Sequence, residues 1–261
     1  MTDRRLMAER NLRRVYGENF GGLALRRAVN STFDSYARYW LESFRLPGTT
    51  RPVLDAGFGV EGFFEHVGDA RRAGKGVILA LPHLGGWEWA AFWLADVQGI
   101  PVTAVVEVVD PPELAEWFAS LRRSIGINVV PLGPSAGTES MRALRENHVL
   151  CLLCDRDLGG GGVSADFFGE ATTLPGGPAT LALRTGAPLC PTAVYFRGDR
   201  RFGLVRPPLD VTRQGRLRAD VERVTQELAG ELEWLIRRAP EQWHLLQPNW
   251  PSDHVALASR P

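Results

Sequence analysis

The sequence predicts a single α/β domain, residues 1–261, with a mostly parallel central sheet flanked by helices. Three observations predict it. From Gly76 onward, short apolar runs of strand length alternate with segments whose apolar residues recur every three or four positions. Those short runs are apolar throughout rather than alternating, which marks strands covered on both faces and therefore parallel pairing. No repeat, low-complexity linker or compositional break divides the 261 residues, a length sufficient for one large core.

Residues 1–45 carry nine arginines (4, 5, 10, 13, 14, 26, 27, 38 and 45) against five acids, a local charge of about +4. Within them Leu25, Val29, Phe33, Tyr36, Trp40 and Phe44 form one helical face flanked by Arg26, Arg27, Arg38 and Arg45. This reads as a basic amphipathic segment packed on the domain. Its charged back is either solvated or set against an anionic membrane surface, and the two are compatible.

Val77–Leu81, ending at Pro82, reads as a strand, Trp87–Val97 as a helix and the valine-rich Val102–Val109 as a second strand. Pro111 and Pro112 open a helix striped by Leu114, Trp117, Phe118, Leu121 and Ile125. Asn128–Leu132 is strand-like, Glu139–Glu146 helical and Val149–Leu153 strand-like again. Pro175-Gly-Gly-Pro178 opens a helix through Arg184, and Leu189–Phe196 and Phe202–Val205 are strands. A last helix sets Leu217, Val221, Val224, Leu228, Leu232, Leu235 and Ile236 on one side.

Composition excludes several classes. Apolar residues at 44% and charged residues at 23% are those of a folded chain, not a disordered one. Thirty basic against thirty acidic residues argue against a nucleic-acid partner held by bulk phosphate attraction. Three cysteines build no disulfide scaffold, and no signal-peptide pattern opens the chain, so a reducing cytosol is expected. The longest apolar stretches, Gly76–Pro82 and Trp89–Leu94, fall far short of the roughly 20 residues that span a bilayer. The chain is expected not to cross a membrane, which leaves open that it lies on one.

Ligands of open parallel sheets sit beyond the carboxyl ends of the strands. His83 follows the first strand, in Leu81-Pro-His-Leu-Gly-Gly-Trp-Glu88. Glu107 sits near the end of the valine-rich strand, and Asp155-Arg156-Asp157 follow Val149–Leu153. On a continuous helix His83 and Glu88 would lie about 140° apart. If the Gly85-Gly86 bend starts the helix, Glu88 falls in its first turn and can reach back to the imidazole. That suits a histidine general base oriented by a carboxylate; the plainer reading is a histidine capping a helix.

Rivals exist. Gly133-Pro-Ser135-Ala-Gly137 matches the nucleophile elbow between a strand and a helix, with Asp210 and His244 downstream in hydrolase order. Such five-letter patterns are also common in ordinary turns. Cys151 and Cys154, three apart in a strand, face opposite sides and read as structural. His83, Glu88, Asp155 and Asp157 match no standard metal-site spacing, so no metal is expected. The Gly159–Gly162 run lacks the Gly-Lys-Ser/Thr of a phosphate loop and reads as flexible.

The ordered set of motifs is more specific than any one of them. Leu81-Pro-His83-Leu-Gly-Gly-Trp-Glu88 is followed by Val105-Val-Glu107, Phe118-x-x-x-Arg122 and Gly126-x-x-Val129-x-Pro131-Leu132. Asp155-Arg-Asp-Leu158, Phe168-Gly169, Pro175-Gly-Gly-Pro178, Arg184-Thr-Gly-Ala-Pro188 and Pro240-Glu-Gln-Trp-His244 complete the series. From about Ser35 to Asp253 the chain resembles the bacterial lipid A lauroyl/myristoyl acyltransferase family, and within it the actinobacterial phosphatidylinositol mannoside acyltransferases. One departure is Glu88, where many members of the family carry Asp.

The resemblance implies a glycerolipid-acyltransferase-like fold and transfer of a fatty acyl chain from acyl-CoA to a sugar hydroxyl of a membrane glycolipid. It implies a mannose of a phosphatidylinositol mannoside as acceptor. His83 is then the base and Glu88 its partner, with Glu107, Arg122, Asp155, Arg156, Asp157 and His244 on the substrate side. It implies no metal or bound cofactor, with acyl-CoA as co-substrate, and a peripheral enzyme at the cytoplasmic face of the plasma membrane. The aromatic residues Trp87, Trp89, Phe92 and Trp93 are candidates for an acyl groove. The alternatives are a serine esterase using Ser135 and a non-catalytic lipid-binding protein.

Overall fold

The computed structural model describes residues 2–107 and 110–259. The chain opens with two helices, α1 (Thr2–Tyr16) and α2 (Gly22–Arg45), then α3 (Arg51–Ala56), β1 (Phe58–Glu61) and α4 (Gly68–Arg72). Next come β2 (Val77–Leu81), α5 (Trp87–Phe92), β3 (Val102–Val106), α6 (Pro112–Ser124), β4 (Asn128–Pro131), α7 (Ala136–Arg145) and β5 (Val149–Leu153). A hairpin of β6 (Val163–Phe167) and β7 (Glu170–Leu174) precedes α8 (Gly177–Thr185), β8 (Leu189–Arg197), β9 (Arg200–Val205), α9 (Leu217–Ile236) and α10 (Pro251–Ala258).

Seven strands form one sheet in the order β1-β9-β8-β2-β5-β3-β4. Every neighbouring pair is parallel except the β8–β9 hairpin. The α/β architecture expected from the sequence is therefore the one observed. All five residues of β2 are buried, as a strand covered on both faces requires. Its alternate side chains feed two cores. Ile78 and Ala80 pack with Leu150, Leu152 and the inner faces of α8 and α9. Val77, Leu79 and Leu81 pack on the other side against Trp89, Phe92 and Trp93.

Some elements differ from expectation. The helix expected over Trp87–Val97 is α5 followed by a wider helical turn at Trp93–Val97. The strand expected over Val102–Val109 ends at Val106, and Val108 and Val109 lie outside the described residues. The basic segment 1–45 is two helices, broken where Gly17 and Gly22 take positive φ. Of the predicted apolar face of α2, Leu25 and Val29 are buried, whereas Phe44 is half exposed. Tyr36 and Trp40 border a cavity, Tyr36 also packing on the core formed with α1. The hairpin β6–β7 stands apart from the main sheet and packs on α9.

Candidate active site

The parallel register of β2 and β5 builds the site. Leu81 lies opposite Leu153, and His83 and Asp155 each stand two residues beyond that pair. Continuing the ladder, the Cys154 amide donates to the Leu81 carbonyl at 2.8 Å. The two side chains consequently meet, with His83 Nδ1 2.6 Å from Asp155 Oδ1. The His83 amide also donates to Asp155 Oδ2, at 3.0 Å. Gly85 makes the tight exit possible. Its φ is +64°, and a Cβ there would collide with the Val194 carbonyl.

Asp155 is fully buried. Its second oxygen accepts a further hydrogen bond from Trp243 Nε1 at 2.8 Å. The Asn249 side chain caps its carbonyl at 3.1 Å. Burial raises the Asp155 carboxyl, but the His83 charge and the hydrogen bonds from His83 and Trp243 outweigh it and hold the group below its ordinary value. An ionised carboxylate only accepts, so in the neutral imidazole it is Nδ1 of His83 that carries the proton and Nε2 that holds the lone pair. Trp243 is brought in by a bridge between its own backbone and that of Leu84. The next amide, of His244, donates to the His83 carbonyl at 2.7 Å.

His83 of this pair borders a cavity of about 1080 Å³. Its walls are mainly apolar and include the aromatic side chains of Tyr36, Trp40, Trp87, Phe58, Phe63 and Trp93. Of the aromatic groove candidates, Trp87 and Trp93 line it, while Trp89 and Phe92 are buried in the core.

A family model described as bacterial lipid A biosynthesis acyltransferase matches residues 1–252. The chain belongs to this acyltransferase family. The phosphatidylinositol mannoside acyltransferase of Mycolicibacterium smegmatis is 40% identical over 247 residues, 94% of this chain and 79% of that protein. The protein of the same name from Mycobacterium tuberculosis is 42% identical over 229 residues, covering 85% of this chain and 70% of its own. The family expected from the ordered motifs is the one found.

Within this candidate site the carboxylates divide differently from expectation. Glu88, predicted to orient His83, is buried in the first turn of α5 and ion-paired with Arg122 of α6 through both Nη2 and Nε. The carboxylate on the imidazole is Asp155. The physical reason is that the β2–β5 register delivers Asp155 to the ring through the backbone, whereas Glu88 meets a guanidinium across the helix pair. Burial lowers Arg122, and the charge and hydrogen bonds of Glu88 more than restore it, so the guanidinium stays charged.

Glu107 is exposed beyond β3 and accepts from Arg156 Nη2 at 2.6 Å. Arg156 Nε is buried without a partner among the described residues. Asp157 turns back on its own loop, accepting the amides of Gly159 (3.1 Å) and Gly162 (2.8 Å) and the Thr173 hydroxyl (3.0 Å). The glycine run predicted to be a free loop is tied down by this carboxylate. His83, Glu88, Glu107, Arg122, Arg156, Asp157 and His244 all line the cavity, with Asp155 buried behind His83.

The rival constellations come apart. Ser135 is exposed at the start of α7 and donates to Glu139 at 2.7 Å. Asp210 accepts the Thr212 amide at 2.9 Å, and the ring of His244 meets Ser35 instead. These three residues build no triad. Cys151 and Cys154 belong to opposite cores, and burial pushes the Cys151 thiol up to about 12 and the Cys154 thiol higher, which disfavours a thiolate at either. Sequence reasoning missed Trp243 as a ligand of Asp155, although it stands in the Pro240–His244 motif. It also missed Asn249 and Ser35, for which no local pattern gives a signal.

Proposed function

We propose that the chain transfers a fatty acyl group from acyl-CoA to a sugar hydroxyl of a membrane glycolipid, namely a mannose of a phosphatidylinositol mannoside. The observation that carries this reading is the His83–Asp155 pair at a largely apolar cavity of about 1080 Å³. That volume is at the upper end of the roughly 300–1,000 Å³ typical of small-molecule sites, room for an aliphatic chain and a polar head together. The names of the two mycobacterial relatives supply the acceptor.

In this mechanism Asp155 holds the Nδ1–H of His83, and Nε2 accepts the proton of the acceptor hydroxyl. The oxygen attacks the thioester carbonyl carbon, and a C–O bond forms as the carbonyl becomes an oxyanion. Collapse breaks the C–S bond, and the Nε2 proton passes to the departing thiolate. A thioester is already activated, so the enzyme's work is to position, deprotonate and stabilise charge, with no metal or bound cofactor. The Glu88–Arg122 pair braces the wall beside the base, and Glu107, Arg156 and Asp157 face the polar part of the substrates.

Among the described residues no helix is long and apolar enough to cross a membrane. We place the enzyme peripherally at the cytoplasmic face of the plasma membrane, where acyl-CoA and a lipid acceptor meet. Arg26 and Arg27, exposed on α2 and in no ion pair among the described residues, are the groups for an anionic surface. The test is incubation with palmitoyl-CoA and a panel of glycolipids, with products read by mass spectrometry. Acylated mannoside is expected in the wild type and not in His83→Ala. Acyl transfer to none of the glycolipids, or equal transfer by His83→Ala, would overturn the reading.

A further inference from the structure

Two imidazoles line the cavity, His83 and His244, and the reaction above uses only the first. The His244 ring is buried among Tyr36, Tyr39 and Trp87, with ring centroids 5.5, 5.9 and 5.9 Å away. Its Nε2 lies 2.8 Å from the hydroxyl oxygen of Ser35 on α2. Its Nδ1 is buried and has no hydrogen-bond partner among the described residues. Because the His244 amide bonds the His83 carbonyl, the two imidazoles hang from paired stretches of backbone.

Counting partners decides the tautomer. A neutral imidazole has one donor and one acceptor nitrogen. If Ser35 donates to Nε2, one group is left over, the Nδ1–H. If Nε2 donates to Ser35, two are left over, the Nδ1 lone pair and the Ser35 hydroxyl proton, for which no other acceptor lies in reach among the described residues. Ser35 is only partly buried, but the first arrangement leaves fewer polar groups without a protein partner, and unmet groups are unfavourable, so it is the favoured one. Burial and then the His83 charge push His244 down to about 3, so it stays neutral and does not compete as a base.

The site has a use for such a donor. Attack on the thioester places negative charge on the carbonyl oxygen, which needs preformed hydrogen-bond donors. Three amides beside the base are committed: His83 to Asp155, Leu84 to Pro82 at 2.8 Å and Gly85 to Gln242 at 2.9 Å. The guanidinium of Arg122 is turned to Glu88. A neutral imidazole N–H is a known kind of electrophile for a carbonyl. We infer that Ser35 fixes His244 as the Nδ1–H tautomer, and that this N–H donates to the acyl carbonyl oxygen of the thioester as the oxyanion forms. The inference rests on acyl transfer from acyl-CoA. His244 is the catalytic residue and Ser35 a positioning residue.

Two non-reacting donors test it: a CoA ketone, in which CH₂ replaces the thioester sulfur, and a CoA thioether that lacks the carbonyl. Wild type should bind the ketone more tightly, and His244→Leu, of similar bulk, should lose that preference while still binding the thioether. In turnover His244→Leu should lower kcat by about 10²-fold with KM nearly unchanged, the usual effect of removing one oxyanion donor. His244→Asn, whose amide stands in for Nδ1–H, should recover part of the rate. Nitrogen NMR of histidine-labelled protein should show the Nδ1–H tautomer at His244, shifted toward Nε2–H in Ser35→Ala and restored in Ser35→Thr. An Nε2–H tautomer in wild type, or a ketone preference that survives His244→Leu, would overturn the assignment and leave the first-turn amides of α5 as the donors. If neither analogue binds, the acyl-CoA reading itself falls, and this inference with it.

Discussion

Replacing Asp155 by Asn tests the proposed base most sharply, because the change keeps shape and removes one acceptor. The carboxylate accepts from the His83 amide (3.0 Å), His83 Nδ1 (2.6 Å) and Trp243 Nε1 (2.8 Å). The Asn carbonyl can replace Oδ2 and keep the two backbone and indole donors. Its NH₂ then faces Nδ1, and two donors cannot share the contact. The ring relieves the clash by moving its proton to Nε2, which removes the lone pair needed for the acceptor hydroxyl. A wrong tautomer of this kind lowers kcat about 10⁴-fold in the hydrolase triad, equivalent to about 5 kcal/mol of barrier. KM should change little, since the cavity walls are untouched. Glu88→Gln is the control, leaving Arg122 in a buried site without a counter-charge. Its main effect should be on stability, where breaking a buried pair is worth roughly 3–5 kcal/mol at most. The assay is steady-state acyl transfer read by mass spectrometry, with circular dichroism and thermal melts on each variant. Retention of a tenth or more of kcat by folded Asp155→Asn, with a larger loss in Glu88→Gln, would return the partner role to Glu88.

Three further outcomes are expected. Ser135→Ala should transfer at the wild-type rate, and a serine-reactive phosphonate should not label the protein, because the Ser135 hydroxyl is exposed and bonded to Glu139. Arg26→Gln with Arg27→Gln should weaken co-sedimentation with anionic vesicles, more so at low salt; adding Arg38→Gln should do little more, as Arg38 is held by Glu42 and the Gly198 carbonyl. His244 is taken up neutral, pushed from 6.5 down to about 3, so the unfolded chain binds its proton first and stability falls as pH drops below about 6.5. Between pH 7.5 and 5 this amounts to about 2 kcal/mol, measured by urea unfolding, and His244→Leu should show a flatter profile over that window.

The sheet was legible where its strands are long apolar runs. Val77–Leu81 and Val149–Leu153 occupy their predicted bounds, as does the amphipathic helix Leu217–Ile236. The strand β1 was not, because four residues interrupted by Gly59 carry no periodicity, and its partner β9 is far along the chain. In the β6–β7 hairpin the alternation is present, with Ala165 and Phe167 buried between exposed Ser164 and Asp166. Five residues beside a glycine run are too few to make it stand out. Met7, Ala8, Leu12 and Val15, the buried stripe of α1, were masked by the arginines around them.

At the site, the residue types and the sheet edge were legible, but the pairing was not. A local argument joins His83 to Glu88 because both lie in one loop-helix segment; the imidazole instead meets a residue 72 positions away. Register decides this. Once Leu81 faces Leu153 in a parallel pair, the residues two beyond each strand must be neighbours, and a short side chain such as Asp spans the gap. Glu88, one methylene longer and on the helix that covers the sheet, is suited to reach Arg122 on the adjacent helix. The departure at position 88 therefore bears on the length of the Glu88–Arg122 link rather than on the geometry of the base. An Asp there should leave His83 and Asp155 in register, because that contact is set by the β2–β5 pairing and by Trp243 and Asn249, none of which involves position 88.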